Sequence, residues 1–373
     1  MSYDWDTETC WAEVDLDALR SNFRLARRLL PPNAPILTVV KADAYGHGAT
    51  QVSRVLVEEG AAILAVATVA ETAELRKAGI QAPILIMGRM LESEIEAALR
   101  WRAEIAIARF SMARAISRTA VNKNTLAPVH VKVDTGMTRL GLPWETAPEK
   151  ISKISRLPGL ALRGVFTHFA NADLADREFT RLQQERFGQV RQELEKMKVT
   201  PSFHMANSAA ILTSQATPDS GGRPGIMLYG ASPSEVVDGE ALTPVLSWKC
   251  RVLQVRDVPK GTGISYGHEY VTPGPSRIAT ISVGYADGFF RALTNKAHVL
   301  IRGCRAPVRG RVTMDMTMVE VTDIPGVAVG DEVVLIGSQG GVTITANEFG
   351  SWAGTIGYEV LCAISHRVKR FYR

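Results

Sequence analysis

Short apolar runs alternate with longer amphipathic stretches from about Ala12 to Tyr229. The first amphipathic stretch has apolar residues at helical spacing, namely Leu16, Leu19, Phe23, Ala26 and Leu30. After it come seven apolar runs, each followed by a helical pattern, at residues 36–40, 63–67, 83–87, 104–108, 129–133, 161–166 and 201–205. These runs do not alternate with period two, as expected for parallel strands that are covered on both faces.

An eighth strand is harder to place. Residues 219–223 (Asp-Ser-Gly-Gly-Arg) have low strand propensity, and the apolar segment 226–229 suits either that strand or a short helix after it. Eight strand–helix repeats over ~220 residues have the usual size of a (β/α)8 barrel. The pattern therefore predicts an N-terminal (β/α)8 barrel of the TIM type.

The pattern changes near Pro244. Segments rich in β-branched residues and bounded by turn residues follow, with little helix between them, at 245–258, 277–283, 298–301, 317–321 and 332–336. They predict a mainly antiparallel β domain, with one helix beginning near Thr345, whose spacing to Glu348 is that of a capping box. We therefore assign the barrel to residues 12–243 and the β domain to 244–373, against which residues 1–11 could also pack.

The composition is that of a globular, soluble protein, with 46% hydrophobic and 22% charged residues in 373. No apolar run approaches the ~20 residues of a membrane-spanning helix, and the acidic N-terminus does not resemble a secretory signal. Four cysteines lie far apart without a CxxC pair, at Cys10, Cys250, Cys304 and Cys362. We interpret them as reduced thiols of a cytoplasmic protein.

The net charge of +5 does not indicate a nucleic-acid partner, because the basic residues are scattered among acidic ones outside the cluster at 366–370. The excess positive charge would instead attract small anionic ligands. The seven histidines show no HxxxH or HExxH spacing, so we expect no metal site.

Lys41 directly follows the first apolar run and precedes a turn that contains Asp43, Tyr45 and His47 between glycines. An isolated buried ammonium is too costly to keep, so a lysine in this place is solvated, paired or chemically used. Desolvation lowers the pKa of a lysine and frees the lone pair that a Schiff base requires. Lys41 is therefore a candidate nucleophile.

Polar residues also follow the later strands, at the face of a barrel where chemistry gathers. Lys132 and Arg139 belong to the segment that closes the fifth strand, His168 follows the sixth, His204, Asn207 and Ser208 belong to the segment that closes the seventh, and Arg223, Gly225 and Ile226 follow the eighth. The Ser208 hydroxyl and the amides of Gly225 and Ile226 suit a phosphate. A phosphate site together with a reactive lysine indicates pyridoxal 5′-phosphate.

Seven further sequence motifs occur at 39–48 (VVKADAYGHG), 132–141 (KVDTGMTRLG), 207–210 (NSAA), 223–226 (RPGI), 265–267 (SYG), 284–288 (GYADG) and 311–315 (RVTMD). In this order, and spread over essentially the whole chain, they resemble the motifs of bacterial alanine racemases. The resemblance implies a pyridoxal-phosphate-dependent isomerase that interconverts L-alanine and D-alanine. It also implies a head-to-tail homodimer with active sites shared between subunits, and a supply of D-alanine to peptidoglycan.

The same resemblance implies roles for single residues. Lys41 would bind the cofactor covalently and act as one base, and Tyr266 from the other subunit would be the second. The cofactor would be bound by Lys41, Tyr45, Arg139, His168, Asn207, Ser208, Arg223, Gly225, Ile226 and Tyr358. The substrate would be bound by Arg139, Tyr285, Met314 and Asp315. In some relatives the lysine that matches Lys132 is carbamylated and braces Arg139.

Racemisation explains why two bases are needed, because one base on one face tends to return the proton that it took. Lysine and tyrosine both have unperturbed pKa values near ~10, so each must be shifted to act as a base at working pH. His168 and Arg223 are the candidates for that electrostatic effect on Tyr266. Arg223 cannot accept a proton, so a pyridine nitrogen facing it stays unprotonated and the ring is a weaker electron sink.

Three other functions fit parts of the pattern. One is a racemase of the same fold that acts on serine or on a broad range of amino acids. A pyridoxal-phosphate decarboxylase would lack the Ser265-Tyr266-Gly267 turn, and a non-catalytic carrier of the cofactor would not need the β domain. Two positions also depart from the family pattern: Thr138 is found where glycine is common, and Gly357 is found where many relatives have proline or another residue.

Overall fold

The structure, a computed structural model, describes residues 8–88, 90–215, 221–238 and 241–373. Up to residue 230 the strands are β1 (Cys10–Val14), β2 (Leu37–Val39), β3 (Ile63–Val66), β4 (Ile84–Ile86), β5 (Glu104–Ile107), β6 (Ala127–Asp134), β7 (Leu142–Pro143), β8 (Leu160–Phe166), β9 (Ser202–Ala206) and β10 (Gly221–Gly222). The helices are α1 (Leu16–Leu29), α2 (Lys41–Gly46), α3 (Ala49–Glu58), α4 (Val69–Lys77), α5 (Ile95–Arg100), α6 (Phe110–Asn122), α7 (Ala147–Ile154), α8 (Glu178–Lys196) and α9 (Ser208–Leu212).

Eight parallel strands form the barrel, in the order β2-β3-β4-β5-β6-β8-β9-β10, and β7 pairs with β6 beside it. A parallel bridge between Ile36 and Gly222 closes the ring. The predicted (β/α)8 barrel is therefore confirmed. Of the two candidates for the eighth strand, residues 221–222 are the strand, and Ile226–Tyr229 is a short 3-10 helix after it; residues 219–220 lie outside the described residues.

Close packing explains why the eighth strand consists of glycines. A Cβ on Gly221 would lie 2.7 Å from the Pro35 carbonyl oxygen, and one on Gly222 would lie 2.5 Å from a methyl carbon of Leu30. A larger residue at 221 would have to displace the Pro35 backbone beside the seam, and one at 222 would have to displace the Leu30 side chain. Strand propensity could not predict this strand, since its side chains are excluded by the closure itself.

A left-handed turn follows Lys41 inside α2. Four successive non-glycine residues, 42–45, have φ between 52° and 54°, a conformation that costs L-residues roughly 1–2 kcal/mol each. Three contacts hold it: Glu71 accepts from the Ala42 amide at 2.8 Å, Asp43 accepts from the Ala49 amide at 2.6 Å, and Arg370 donates to the Gly46 carbonyl at 3.0 Å. The turn therefore fixes the backbone directly after Lys41.

The rest of the chain forms a β domain. Its strands are β11 (Leu246–Val258), β12 (Gly263–Ile264), β13 (Tyr270–Val271), β14 (Ser276–Ile281), β15 (His298–Ile301), β16 (Cys304–Pro307), β17 (Thr317–Glu320), β18 (Glu332–Gln339), β19 (Val342–Ile344) and β20 (Lys369–Tyr372). Two helices, α10 (Ala346–Ala353) and α11 (Gly357–Ala363), and the 3-10 turns Tyr266–His268 and Arg291–Leu293 complete it. Thr345 caps α10 by accepting from the Glu348 amide at 3.0 Å, where the sequence placed a helix start.

The main sheet of this domain has the order β16-β15-β18-β11-β1-β20, with β14, β17 and β19 attached to it. The strand β1 pairs antiparallel with β11 and parallel with β20, so residues 10–14 belong to this sheet. The remaining named pairs of the sheet are antiparallel, which confirms the predicted class. The sheet packs on α10 through Trp248, Phe289 and Phe349, whose ring centroids lie 5.4 to 6.2 Å apart.

Among the described residues no helix has both the length and the apolar character needed to cross a membrane. The same residues contain no group of three or more His, Cys, Asp or Glu side chains that could hold a metal ion.

Candidate active site

A cavity of about 1210 Å³ lies at the carboxyl ends of the barrel strands. It brings together the following predicted residues: Lys41, Tyr45, Lys132, Arg139, His168, Asn207, Ser208, Arg223, Gly225, Ile226 and Tyr358. Helix α11 supplies Tyr358 from the β domain, so the cavity is formed by both domains. Lys41 and Tyr358, which are 317 positions apart in the chain, thus line one space.

A cradle of hydroxyl and amide groups occupies one part of this cavity. Ser208 Oγ accepts hydrogen bonds from the amides of Gly225 at 2.9 Å and Met227 at 3.4 Å. A Cβ on Gly225 would lie 2.7 Å from the Tyr45 hydroxyl, so glycine lets that hydroxyl approach the loop. The rings of Tyr45 and Tyr358 lie 6.1 Å apart. Burial raises the pKa of both tyrosines, so both hydroxyls keep the proton that an anionic ligand could accept.

Asn207 positions this cradle through the start of helix α9. Its side chain caps helix α9 by accepting from the Ala210 amide at 3.0 Å, which fixes Ser208 as the first residue of the helix. Capping and anion binding at one helix start are compatible, because the cap uses only the Ala210 amide and leaves the other N–H groups of the first turn for an anion.

Arg223 lines the cavity and is 3% exposed. Its Nη1 donates to the Nδ1 and the carbonyl of His204 at 2.9 and 2.8 Å, and its Nη2 donates to Thr167 and Met205 carbonyls and to His168 Nδ1. Within the described residues Nε has no acceptor, so it is the nitrogen left for a ligand. Burial lowers the pKa of Arg223 to about 9, which still leaves a cation at neutral pH.

Two further groups in the cavity have lowered pKa values. Burial, with the nearby Arg139 and Arg223 charges, lowers the pKa of Lys132 to about 8. Burial and then Arg223 hold the pKa of His168 well below its usual value. His168 is therefore a neutral imidazole, and the contact with Arg223 requires that its Nδ1 accept.

Tyr266 does not line this cavity. It lies in a second cavity of about 670 Å³ in the β domain, with Thr313 and Met316 beside it, and it is 72% exposed. The predicted substrate residues Tyr285, Met314 and Asp315 are also on the β domain: the Tyr285 amide donates to the Thr313 carbonyl at 3.0 Å, and Asp315 pairs with Arg367 at 2.9 Å. One chain alone does not bring these four residues to Lys41.

The two departures from the family pattern have local consequences. Thr138 has a φ of 54°, which is unfavourable for a β-branched residue and explains the glycine common there. A Cβ on Gly357 would lie 2.2 Å from Asn347 Oδ1. Glycine at 357 therefore permits a close approach of α11 to α10, just before Tyr358.

Sequence reasoning missed several residues that the structure places around the site. Phe166 stacks on His204 with ring centroids 4.9 Å apart, and Cys362 lines the cavity from α11. Glu71 holds the turn after Lys41, and its position three residues after Thr68 was a signal that could have been used, since the two form a capping box. His130 and Glu104 carried no such signal.

Comparisons with known proteins agree with this geometry. The family profile "Alanine racemase, N-terminal domain" matches residues 14–233, and "Alanine racemase, C-terminal domain" matches residues 245–372. The alanine racemase of Halothermothrix orenii is 46% identical over 369 residues, which are 98% of this chain and 97% of that protein. That of Desulforamulus reducens is 44% identical over 369 residues, 98% of this chain and 99% of that protein.

Solved structures give the same result. The alanine racemase of Clostridium difficile 630 superposes with a TM-score of 0.93 at 39% identity, covering 98% of this chain and 96% of that one. The alanine racemase of Bacillus anthracis with bound L-Ala-P superposes with a TM-score of 0.91 at 36% identity, covering 98% and 95% of the two chains.

Proposed function

The chain belongs to the alanine racemase family, and we propose that it interconverts L-alanine and D-alanine with pyridoxal 5′-phosphate as its cofactor. The observation that supports this most directly is the cavity in which Lys41 shares one space with the hydroxyl cradle and with Arg223. An amine for the aldehyde, a cradle for the phosphate and a donor for the ring nitrogen are what this cofactor requires. The residues present therefore fit it.

Each part of the cavity would hold one part of the cofactor. Lys41 would bond to the aldehyde through Nζ, and Arg223 would donate to the ring nitrogen from Nε. The phosphate would be held by the cradle residues Tyr45, Ser208, Gly225, Ile226 and Tyr358, with His168 and Asn207 fixing their neighbours. When bound, pyridoxal phosphate withdraws electrons from the substrate Cα and makes its proton removable.

The proton itself would be moved by two side chains on opposite faces of the substrate. Lys41 Nζ would take or return it on one face, and the hydroxyl of Tyr266 on the other. Since Arg223 donates without accepting a proton, it would leave the ring nitrogen unprotonated, which favours prompt return of the proton over side reactions. Arg139, Tyr285, Asp315 and the Met314 amide would bind the substrate.

The placement of Tyr266, which lies in a different cavity from Lys41 and is largely exposed, supports a homodimer. We propose that two chains pack head to tail, so that Tyr266 of the partner subunit enters the Lys41 cavity. Subunit complementation tests this directly. Lys41→Ala and Tyr266→Phe chains are each expected to lose activity, and mixing them after reversible dissociation should restore one intact site per hybrid dimer.

The contrary result is equally clear. If the hybrid stays as inactive as its parents while wild-type chains treated in the same way recover, both bases come from one chain and the shared-site proposal fails. A mixture of two Tyr266→Phe chains is the matched control, because it undergoes the same exchange without gaining a second base.

Activity and specificity need their own test. Chiral analysis after incubation with L-alanine should show D-alanine, with L-serine and L-lysine turned over far more slowly. Borohydride reduction followed by peptide mass spectrometry should place the cofactor on Lys41. A protein that stays colourless and inert after the cofactor is added would contradict the proposal.

Lys132 is the proposed site of a carbamate, for which its lowered pKa gives the reason. A neutral amine attacks carbon dioxide, forming an N–C bond and releasing one proton, and at a pKa of about 8 this lysine is partly neutral near neutral pH. The product would replace a buried cation by an anion next to Arg139. A ¹³C signal from labelled bicarbonate that is present in wild type and absent in Lys132→Arg would support it; no difference would refute it.

For the cell, we propose a cytoplasmic enzyme whose D-alanine enters peptidoglycan. All four cysteines are free thiols, the state expected in a reducing compartment. Loss of growth without external D-alanine, after removal of the gene, would be the supporting phenotype.

A further inference from the structure

The charge of Arg223 has no direct anionic partner among the described residues. Its five acceptors are three backbone carbonyls and the imidazoles of His168 and His204. A buried cation is costly unless it is paired. The contacts of His204 show where the compensating charge lies.

A continuous chain of hydrogen bonds runs from Arg223 through the barrel interior. His204 Nε2 lies 3.0 Å from His130 Nδ1, and His130 Nε2 lies 2.7 Å from a carboxylate oxygen of Glu104. Both imidazoles are buried. Glu104 is the first residue of β5, so it lies at the opposite end of the strands from the cavity.

The donor and the acceptor of each hydrogen bond between Arg223 and Glu104 follow from these two end residues. Arg223 can only donate, so His204 Nδ1 accepts and the proton of His204 is on Nε2. That proton is donated to His130 Nδ1, which leaves the proton of His130 on Nε2. An ionised Glu104 can only accept, which is what the Nε2–H of His130 requires.

An imidazolium at His130, with protons on both ring nitrogens, would be incompatible with this arrangement of donors and acceptors. It would donate from both nitrogens, so His204 Nε2 would have to accept and its proton would move to Nδ1. Two donors, His204 Nδ1–H and Arg223 Nη1–H, would then face each other at 2.9 Å. The geometry is therefore compatible with two neutral imidazoles in one tautomer.

The surroundings fit these two rings closely. A Cβ on Gly164 would lie 2.3 Å from His130 Nδ1, so only glycine leaves room for the ring. Phe166 stacks on His204 with an angle of 6° between the ring planes. The rings cannot turn freely, and the identity of the terminal acceptor therefore determines where their protons lie.

We propose that Glu104 is a positioning residue for racemisation: through His130 and His204 it holds Arg223 with both Nη groups engaged and Nε directed to the cavity. This inference rests on the proposed function, but it concerns residues outside the cavity. Removing the acceptor would leave His130 with an unpaired donor or reverse its tautomer. Either change weakens the hydrogen bond between Arg223 Nη1 and His204 Nδ1.

The tautomers are directly measurable by solid-state ¹⁵N NMR, in which protonated and unprotonated ring nitrogens give separate signals. Wild-type holoenzyme labelled at histidine should show His130 and His204 as neutral rings with protons on Nε2, assigned by comparison with His130→Gln and His204→Gln. A proton on Nδ1 of either ring, or an imidazolium, would overturn the proposal. This measurement needs no Glu104 variant, so it can overturn the proposal even if such a variant fails to fold.

Two substitutions then test the effect on the reaction. Glu104→Leu removes the acceptor and should lower kcat roughly tenfold, as loss of an outer hydrogen-bond partner does in metal sites, with little change in KM and with altered ¹⁵N signals. Glu104→Gln can still accept from His130 and should keep the tautomers and most of kcat. Glu96→Leu, which removes an exposed carboxylate paired with Lys123, is the matched control.

The outcomes separate this inference from the proposed function. A folded Glu104→Leu protein with wild-type tautomers and wild-type kcat overturns the inference while the racemase stands. A wild-type protein with the expected tautomers but no racemase activity overturns the proposed function, and the inferred role in the reaction with it.

Discussion

The carboxylate of Glu71 accepts a 2.8 Å hydrogen bond from the amide of Ala42, the residue that follows Lys41. Its second oxygen accepts from the amides of Ala67 and Thr68 at 2.7 and 3.0 Å. One carboxylate thus joins the start of α4 to the left-handed turn after Lys41. Four successive residues with positive φ persist only where the surroundings hold them, and Glu71 is the acceptor that does so at the lysine end.

Glu71→Ala should therefore destabilise the protein and loosen Lys41. Loss of hydrogen bonds to a charged acceptor costs about 1.5–3 kcal/mol, so urea unfolding should show a decrease of that size. Reduction of the cofactor adduct should also be less complete at Lys41. Glu74→Ala is the control on the same helix, since Glu74 is exposed. Equal losses in the two variants would contradict the role of Glu71.

Much of the fold could be predicted from the pattern of apolar runs. Seven barrel strands lie in short apolar runs without period-two alternation, and β-branched segments marked the second domain. The eighth strand could not be predicted in the same way, because residues 221–222 pair through the backbone at a seam too narrow for side chains. The sequence suggested that residues 1–11 could pack against the β domain, but it did not indicate that residues 10–14 form a strand of the second sheet, since they pair with a strand more than 230 positions later.

The site was predictable where a residue follows a strand and contacts the cavity. Lys41, Arg139 and Arg223 were found in this way. His204 was named among the polar residues of the seventh strand, but its link through His130 to Glu104 was not predicted, because inward-facing residues at the start or in the middle of a strand give no local pattern. Nor could the sequence indicate that Tyr45 belongs to a left-handed turn, since residues 42–45 contain no glycine.

Gly225→Ala should weaken cofactor binding. The added methyl group would lie 2.7 Å from the Tyr45 hydroxyl, so Tyr45 must withdraw from the cradle. Losing one hydrogen bond to a charged ligand, worth about 1.5–3 kcal/mol, corresponds to roughly tenfold or more in the dissociation constant. Titration of the apoprotein with pyridoxal phosphate measures this.

The control for this substitution is Gly188→Ala in helix α8, where the added methyl group meets no atom within 4 Å. It should leave the dissociation constant unchanged. If the two alanine variants bind the cofactor equally well, the cradle does not include the Tyr45 hydroxyl.

Stability should fall on mild acidification because of buried neutral histidines. Burial lowers the pKa of His47 from 6.5 to about 4, and burial likewise holds the pKa values of His168 and His204 well below the usual value. Below pH 6.5 these histidines bind protons in the unfolded chain but stay neutral in the folded chain. The free energy of unfolding should therefore decrease between about pH 6.5 and pH 4, by about 1.4 kcal/mol per pH unit and histidine.

His47→Gln tests one of these three sites. As the pH falls from about 6.5 to 4, the free energy of unfolding of His47→Gln should rise relative to that of wild type by about 3 kcal/mol. This value corresponds to one proton over 2.5 pH units. His366→Gln, at an exposed histidine, should follow the wild-type curve. Parallel curves for His47→Gln and wild type would contradict the assignment.

Gly164→Ala should disturb the barrel interior without touching the cavity. Its Cβ would lie 2.3 Å from His130 Nδ1, the atom that accepts from His204. Overpacking of this kind costs about 1–3 kcal/mol, and urea unfolding should show that loss. If the cause is the collision with the His130 ring, Gly164→Ala combined with His130→Ala should lose clearly less stability than the sum of the two single variants, since the second substitution removes the ring that collides. Strict additivity would instead place the effect of Gly164→Ala in the backbone of β8.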